Sequence, residues 1–164
     1  MNKQQLATLA QQIAAAHALP PELVCAVCEQ ESDWDTWATR YEPGFLSRYV
    51  APLFTNNKID ATEAHCRAIS WGLMQVMGQT AREHGFHGRF LSALCDPEAG
   101  LSVGCAVLSR KLAAAGDVRS ALLLWNGGGD PDYAAQVMNR MPHYAARAKN
   151  NVPSPDHNAE ATST

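Results

Sequence analysis

Apolar residues recur at three- and four-residue intervals through most of the chain, the period of a helix with one buried face. In "MNKQQLATLAQQIAAAHALPP" the positions Leu6, Leu9, Ala10 and Ile13 align in this way and predict an amphipathic first helix. Pro20 and Pro21 open a second helix running to about Glu31, because proline is accepted in a first helical turn. "WGLMQVMGQTAREHG" reads as a further helix ending near Gly85, with Gly78 weakening its middle. Asp96 as a cap, Pro97 at the first position and Leu101, Cys105, Leu108 and Leu112 on one face predict a helix that Gly116 ends. Asp117 begins a shorter apolar helix, "VRSALLLWN", stopped by "GGG". Asp130 and Pro131 restart a helix in which Tyr133, Val137 and Met141 share a face. No strand pair shows period-two alternation, so the expected class is all-α or mainly α.

Two stretches lack the pattern. From Asp33 to about Thr62, "YEPGF" and "PLFTNNK" carry the Pro, Gly and Asn of loops, with room for one short helix. The tail, 150–164, is polar without periodic apolar positions, and disorder is expected there. That leaves 1–149 as a single domain, in keeping with a 164-residue chain that can build one core but not two.

Composition narrows the function. A net charge of −3 with no basic run argues against nucleic acid as a partner, since phosphate binding needs clustered cations. Gln11, Gln12 and His17 interrupt the apolar N-terminal stretch, so an export signal is not expected in it. No run of about 18 apolar residues is present, and no membrane insertion is expected. Five cysteines (Cys25, Cys28, Cys66, Cys95, Cys105) make an odd set. The CxxC formed by Cys25 and Cys28 lies inside the helical apolar run "LVCAVC", which favours core packing over metal or redox chemistry. A disulfide among Cys66, Cys95 and Cys105 stays open. The six histidines show no ligand spacing, so neither metal nor cofactor is expected.

The chemistry-bearing candidate lies in "ELVCAVCEQESDW", where Glu29 and Glu31 end the second helix. Residues three, four and seven apart share a helical face. Behind Glu31 these are Cys28, Val27 and Val24, all apolar; behind Glu29 they are Ala26, Cys25 and Glu22, a mixed face. Glu31 therefore continues the buried stripe, while Glu29 is expected at least partly in solvent, where its replacement by Gln would be nearly silent. Apolar surroundings and the negative end of the helix dipole both disfavour the charged carboxylate, which makes Glu31 a candidate general acid. The plainer reading is an exposed helix-end glutamate paired with Arg40.

"EQES" is followed by "SWGLMQVMGQTA" (Ser70–Ala81) and "LLLWNGGGDPDYAAQVM" (Leu122–Met138). Together, in this order and over about residues 20–145, these blocks resemble the soluble lytic transglycosylases, a branch of the lysozyme-like superfamily. The resemblance implies a lysozyme-like domain of about six to eight helices around a saccharide-binding groove. It implies that Glu31 is the acid/base and that Tyr133 carries the hydroxyl approaching it. It places Ser32, Ser70, Gly72, Met74, Gln75, Trp125 and Asn126 along the substrate, Asn126 with an amide for an N-acetyl sugar. Trp125 stands where the family usually has Tyr, and Gly78 where it usually has Pro. The interval between Glu31 and Gly72 is longer than usual, so "TRYEPGFLSRYV" is expected to shape one groove wall, with Glu42 an acid of unassigned role.

The implied reaction is cleavage of the MurNAc–GlcNAc β-1,4 bond of peptidoglycan with closure of a 1,6-anhydro ring, by a monomer acting on glycan strands. Three alternatives stand beside it. One is a goose-lysozyme-type hydrolase using water positioned by Asp33, Asp35, Glu42 or Glu63; the others are a non-catalytic wall-binding or phage structural module, and a helical interaction domain. A compact domain without a visible export signal further suggests a phage or prophage endolysin, made in the cytoplasm and released to the wall by a holin.

Overall fold

A computed structural model describes residues 1–56 and 58–150. The fold is mainly helical. Helix α1 (Lys3–Ala16) starts at a reciprocal cap: Asn2 Oδ1 accepts from the Gln5 N–H and Gln5 Oε1 accepts from the Asn2 N–H. Its Leu6, Ala7, Ala10 and Ala14 face inward. Helix α2 (Pro21–Ser32) is the centre of the core, and Leu23 through Cys28 are all fully buried. A helix apolar on every side belongs in the interior, and α2 packs against both α1 and α9 (Tyr133–Asn150). Each large side chain so buried contributes about 1.5–3 kcal/mol. Cys25 and Cys28 are part of this packing, and all five thiols are free.

Between α2 and the core's second half lies a region richer in structure than its composition suggested. Strand β1 (Thr39–Tyr41) is followed by a continuous winding run: α3 (Pro43–Phe45), a π-helical turn (Leu46–Val50) and α4 (Ala51–Thr55). Helix α5 (Ala61–Arg67) leads into β2 (Ile69–Trp71) and β3 (Val76–Met77). The three strands form an antiparallel sheet in the order β1-β2-β3, with Arg40 opposite Ser70 and Ser70 opposite Met77. Strands of two or three residues are too short to show alternation. This region closes over a small apolar cluster of its own, Val50, Ala64 and Ala68, flanked by Phe45, Leu46 and Ile59.

The expected helix over 71–85 is corrected by the structure. The chain reverses through Gly72 (φ 66°) and Gln75 (φ 47°), and helix begins only at α6 (Gly78–Glu83). A Cβ at Gly72 would lie 2.4 Å from the Leu94 carbonyl oxygen, and one at Gly78 would lie 2.4 Å from that of Cys66. Gly78 is therefore where backbone meets backbone at a helix start rather than a weak helix interior.

Beyond a 3₁₀ turn (Leu91–Cys95), α7 (Pro97–Ala115) and α8 (Val118–Asn126) follow the expected bounds. Asp96 and Asp117 cap them, accepting from the Ala99 and Ser120 N–H groups, and left-handed Gly116 and Gly127 end them. Helix α9 starts at Tyr133, slightly later than expected, because Asp130 Oδ1 first holds a turn through the Asp132 N–H. All but the first residue of the polar tail, 151–164, lies outside the described residues. No helix of the described residues is long and apolar enough to cross a membrane.

Candidate active site

Glu31 sits in the last turn of α2, which left-handed Asp33 terminates. It opens onto a cavity of about 930 Å³ between the helical half of the molecule and the β1–α3 region. Tyr133, at the first turn of α9, is buried beneath Glu31, and its hydroxyl donates to Glu31 Oε1 at 2.5 Å. Trp125, in the last turn of α8, donates its indole N–H to the same oxygen at 3.0 Å. Among the described residues, Oε2 accepts no hydrogen bond.

Burial raises the Glu31 pKa above the ordinary carboxylate value. The Tyr133 and Trp125 donors and the positive charge of Arg40 oppose that rise without cancelling it. Burial, followed by the Glu31 charge, also raises the Tyr133 pKa, so its hydroxyl keeps its proton. Arg40 does not pair directly with Glu31; its guanidinium meets Glu42 at 2.7 Å on the opposite side of the cavity.

The other expected residues divide into groove and scaffold. Ser70, Gln75, Trp125 and Asn126 line the cavity together with Glu31. Ser70 and Gln75 are nevertheless occupied internally: Ser70 Oγ donates to Gln75 Oε1 at 2.8 Å, and Gln75 Nε2 donates to the Ala38 and Gly72 carbonyls at 2.8 and 2.9 Å. These bonds hold the left-handed Gln75 backbone and pin the β2–β3 turn. Asn126 Nδ2 donates to the Asp130 carbonyl at 2.9 Å, closing the glycine turn between α8 and α9.

Met74 is a correction. It is 1% exposed, and its thioether packs against Gly104 of α7 in the core, not along the groove. Gly72 lies under the turn against Leu94, and Ser32 Oγ lies 3.0 and 2.9 Å from the Cys28 and Leu73 carbonyls, joining α2 to that turn. Neither lines the cavity. Of the tryptophans, Trp34 and Trp71 are core and Trp37 is exposed outside the cavity.

The opposite wall was not identified residue by residue in the sequence. It consists of Arg40, Tyr41, Glu42, Phe45 and Tyr49, the last two with ring centroids 4.8 Å apart across the π-helical turn. Lys111 and Asp130 also reach the cavity. The available signal was the density of aromatics in "TRYEPGFLSRYV", whereas the wall expectation rested on the length of the interval and selected no positions.

Glu29 is partly exposed, as expected, but it is not free. Its Oε2 accepts from the Tyr144 hydroxyl at 2.9 Å, which in turn accepts from the buried Trp34 indole at 3.0 Å; Lys3 lies 3.4 Å from Oε1. Rather than a free surface acid, it ties α1, α2 and α9 together. Among the described residues no group of three or more His, Cys, Asp or Glu side chains could hold a metal ion.

A cavity lined by a protonatable carboxyl suits acid–base chemistry. The chain belongs to the transglycosylase SLT domain family, whose model matches residues 8–142. It is thereby a domain of the kind that cleaves glycosidic bonds of peptidoglycan. No curated protein and no solved structure matches the chain.

Proposed function

We propose that the protein is a lytic transglycosylase in which Glu31 alone performs both proton transfers. The observation that carries this reading is the Glu31 carboxyl itself, opening onto the cavity with its pKa raised by burial and its Oε1 held from beneath by Tyr133. In its acid form Glu31 protonates the glycosidic oxygen between MurNAc and GlcNAc. The substrate's acetamido group supports the positive charge that develops at the sugar carbon. The carboxylate left behind then removes the proton of the muramoyl C6 hydroxyl, whose oxygen closes the 1,6-anhydro ring, and Glu31 returns to its acid form. Tyr133 keeps the carboxyl oriented through both transfers. Asn126 is proposed to meet the N-acetyl sugar from the glycine turn. Glu31→Gln, assayed on purified cell walls, tests the assignment: a folded variant as active as the parent removes it.

One observation favours a second reading. Of the acids able to position water in a hydrolase, Glu42 lines the cavity, paired there with Arg40, whereas Asp33, Asp35 and Glu63 do not line it. A hydrolase would use Glu42 as the second carboxylate that inverting and retaining enzymes need. Glu42→Gln separates the two: it abolishes turnover by a hydrolase and leaves a single-acid transglycosylase working. As its biological setting we propose host lysis, with a holin giving the enzyme access to the wall. Expression with and without a co-expressed holin tests this, and lysis independent of the holin would contradict it.

A further inference from the structure

Two donors converge on one oxygen of Glu31, and they differ in kind. The Tyr133 hydroxyl can donate or accept, whereas an indole N–H has no lone pair and can only donate. If Tyr133 stood alone, a proton on either carboxyl oxygen could be accommodated, because the hydroxyl could turn to accept from Oε1–H. With the Trp125 N–H aimed at Oε1 from 3.0 Å, a proton there would turn the Tyr133 hydroxyl from donor to acceptor and leave the indole N–H on a hydroxyl oxygen, a weaker acceptor than the carbonyl oxygen it has when the proton is on Oε2.

We propose that Trp125 is a positioning residue that favours Oε1 as the unprotonated acceptor and thereby directs the transferable proton of Glu31 to Oε2. This rests on the reading of Glu31 as the acid/base. It gives a chemical consequence to the tryptophan found where the resemblance sets a tyrosine, since a second phenol could have turned to accept. It also assigns one oxygen to both halves of the reaction: Oε2 releases the proton to the glycosidic oxygen, and the same Oε2 takes the C6 hydroxyl proton. Oε1 keeps its two donors in both protonation states, so the carboxyl need not rotate between steps.

The test removes the N–H and little else. Replacing Trp125 with 3-benzothienylalanine exchanges N–H for sulfur in a ring of nearly the same shape. Trp125→Phe, checked for folding by circular dichroism, repeats the loss with natural residues. Both are expected to lower kcat about 10-fold, the scale of a mispositioned proton donor, while KM changes less than about 2-fold. Loss of a donor to the charged form moves the Glu31 titration, followed by carbon-13 NMR, to higher pH, and the alkaline limb of kcat/KM moves with it. A raised KM with kcat, titration and pH profile unchanged would overturn the proposal and leave Trp125 as a sugar-stacking surface. Failure of the underlying reading looks different: Glu31→Gln would then retain activity, whatever the Trp125 variants do.

Discussion

The two sides of the cavity are built by different means. On one side Glu31, Trp125 and Tyr133 project from the ends of α2, α8 and α9, helices anchored in the main core, and their polar atoms are joined to one another. On the other, Tyr41, Phe45 and Tyr49 stand on a short strand, the one-turn α3 and a π-helical turn over a separate cluster of three buried residues. Tyr41 and Tyr49 are about half exposed, at 45% and 52%. Proton transfer demands fixed geometry, and the rigid side supplies it. Stacking on a sugar tolerates movement, and π-helical turns occur frequently at functional sites. The comparison predicts that changes on the rigid side act on kcat and those on the other side on KM.

The largest effect belongs to Glu31→Gln, with a loss of about 10³-fold or more in wall-degrading rate for a soluble, folded variant. Tyr133→Phe follows, losing about 10²-fold in kcat as one preorganised donor disappears, with substrate binding little changed. On the opposite wall, Tyr49→Ala should raise KM by roughly 3- to 10-fold at constant kcat, as expected for loss of uniform binding. A kcat effect there as large as that of Tyr133→Phe would break the division between the two sides. The smallest effect is at Glu29, where Glu29→Ala should cost about 1 kcal/mol in denaturant unfolding through the orphaned Tyr144 hydroxyl, with activity retained.

The pH dependence follows from the sign of the Glu31 shift. Its folded pKa is raised by burial, so the acid form persists above the ordinary carboxylate value of about 4.3. The rate of the first transfer should fall as pH rises through that raised value. The associated stability is fully present below the unfolded pKa and is lost as pH rises through the folded one. Glu31→Gln should therefore melt higher than the parent at neutral pH, and the two should converge near about pH 4. A variant that melts lower than the parent at neutral pH would contradict the burial account.

Helices α7 and α8 were legible because caps, stops and apolar positions agree, and α1 from its apolar stripe alone. Glu31 was legible for the same reason, by continuing a stripe. The partners of Glu29 were missed because α2 is packed on both faces, so a position off the main stripe still met protein, here Tyr144, 115 residues away along the chain. The turn at 72–75 was misread because Met74 and Met77 mimic helical spacing, while a left-handed glutamine leaves no mark on periodicity. The hydroxyl of Tyr133 reaches Glu31 across 102 residues, a relation that came from the family resemblance and not from local pattern. The aromatic wall was legible only as a region, since its side chains are aimed by a three-residue strand, a one-turn helix and a π-helical turn that local propensities do not signal.

The products formed from purified sacculi test the central claim most directly. Mass spectrometry of muropeptides released by the wild-type protein should show 1,6-anhydro-muramoyl ends, about 18 mass units (one water) lighter than hydrolysed ends. Glu31→Gln should release neither. Reducing muramoyl ends as the main product would contradict the single-carboxylate account and transfer the second role to Glu42.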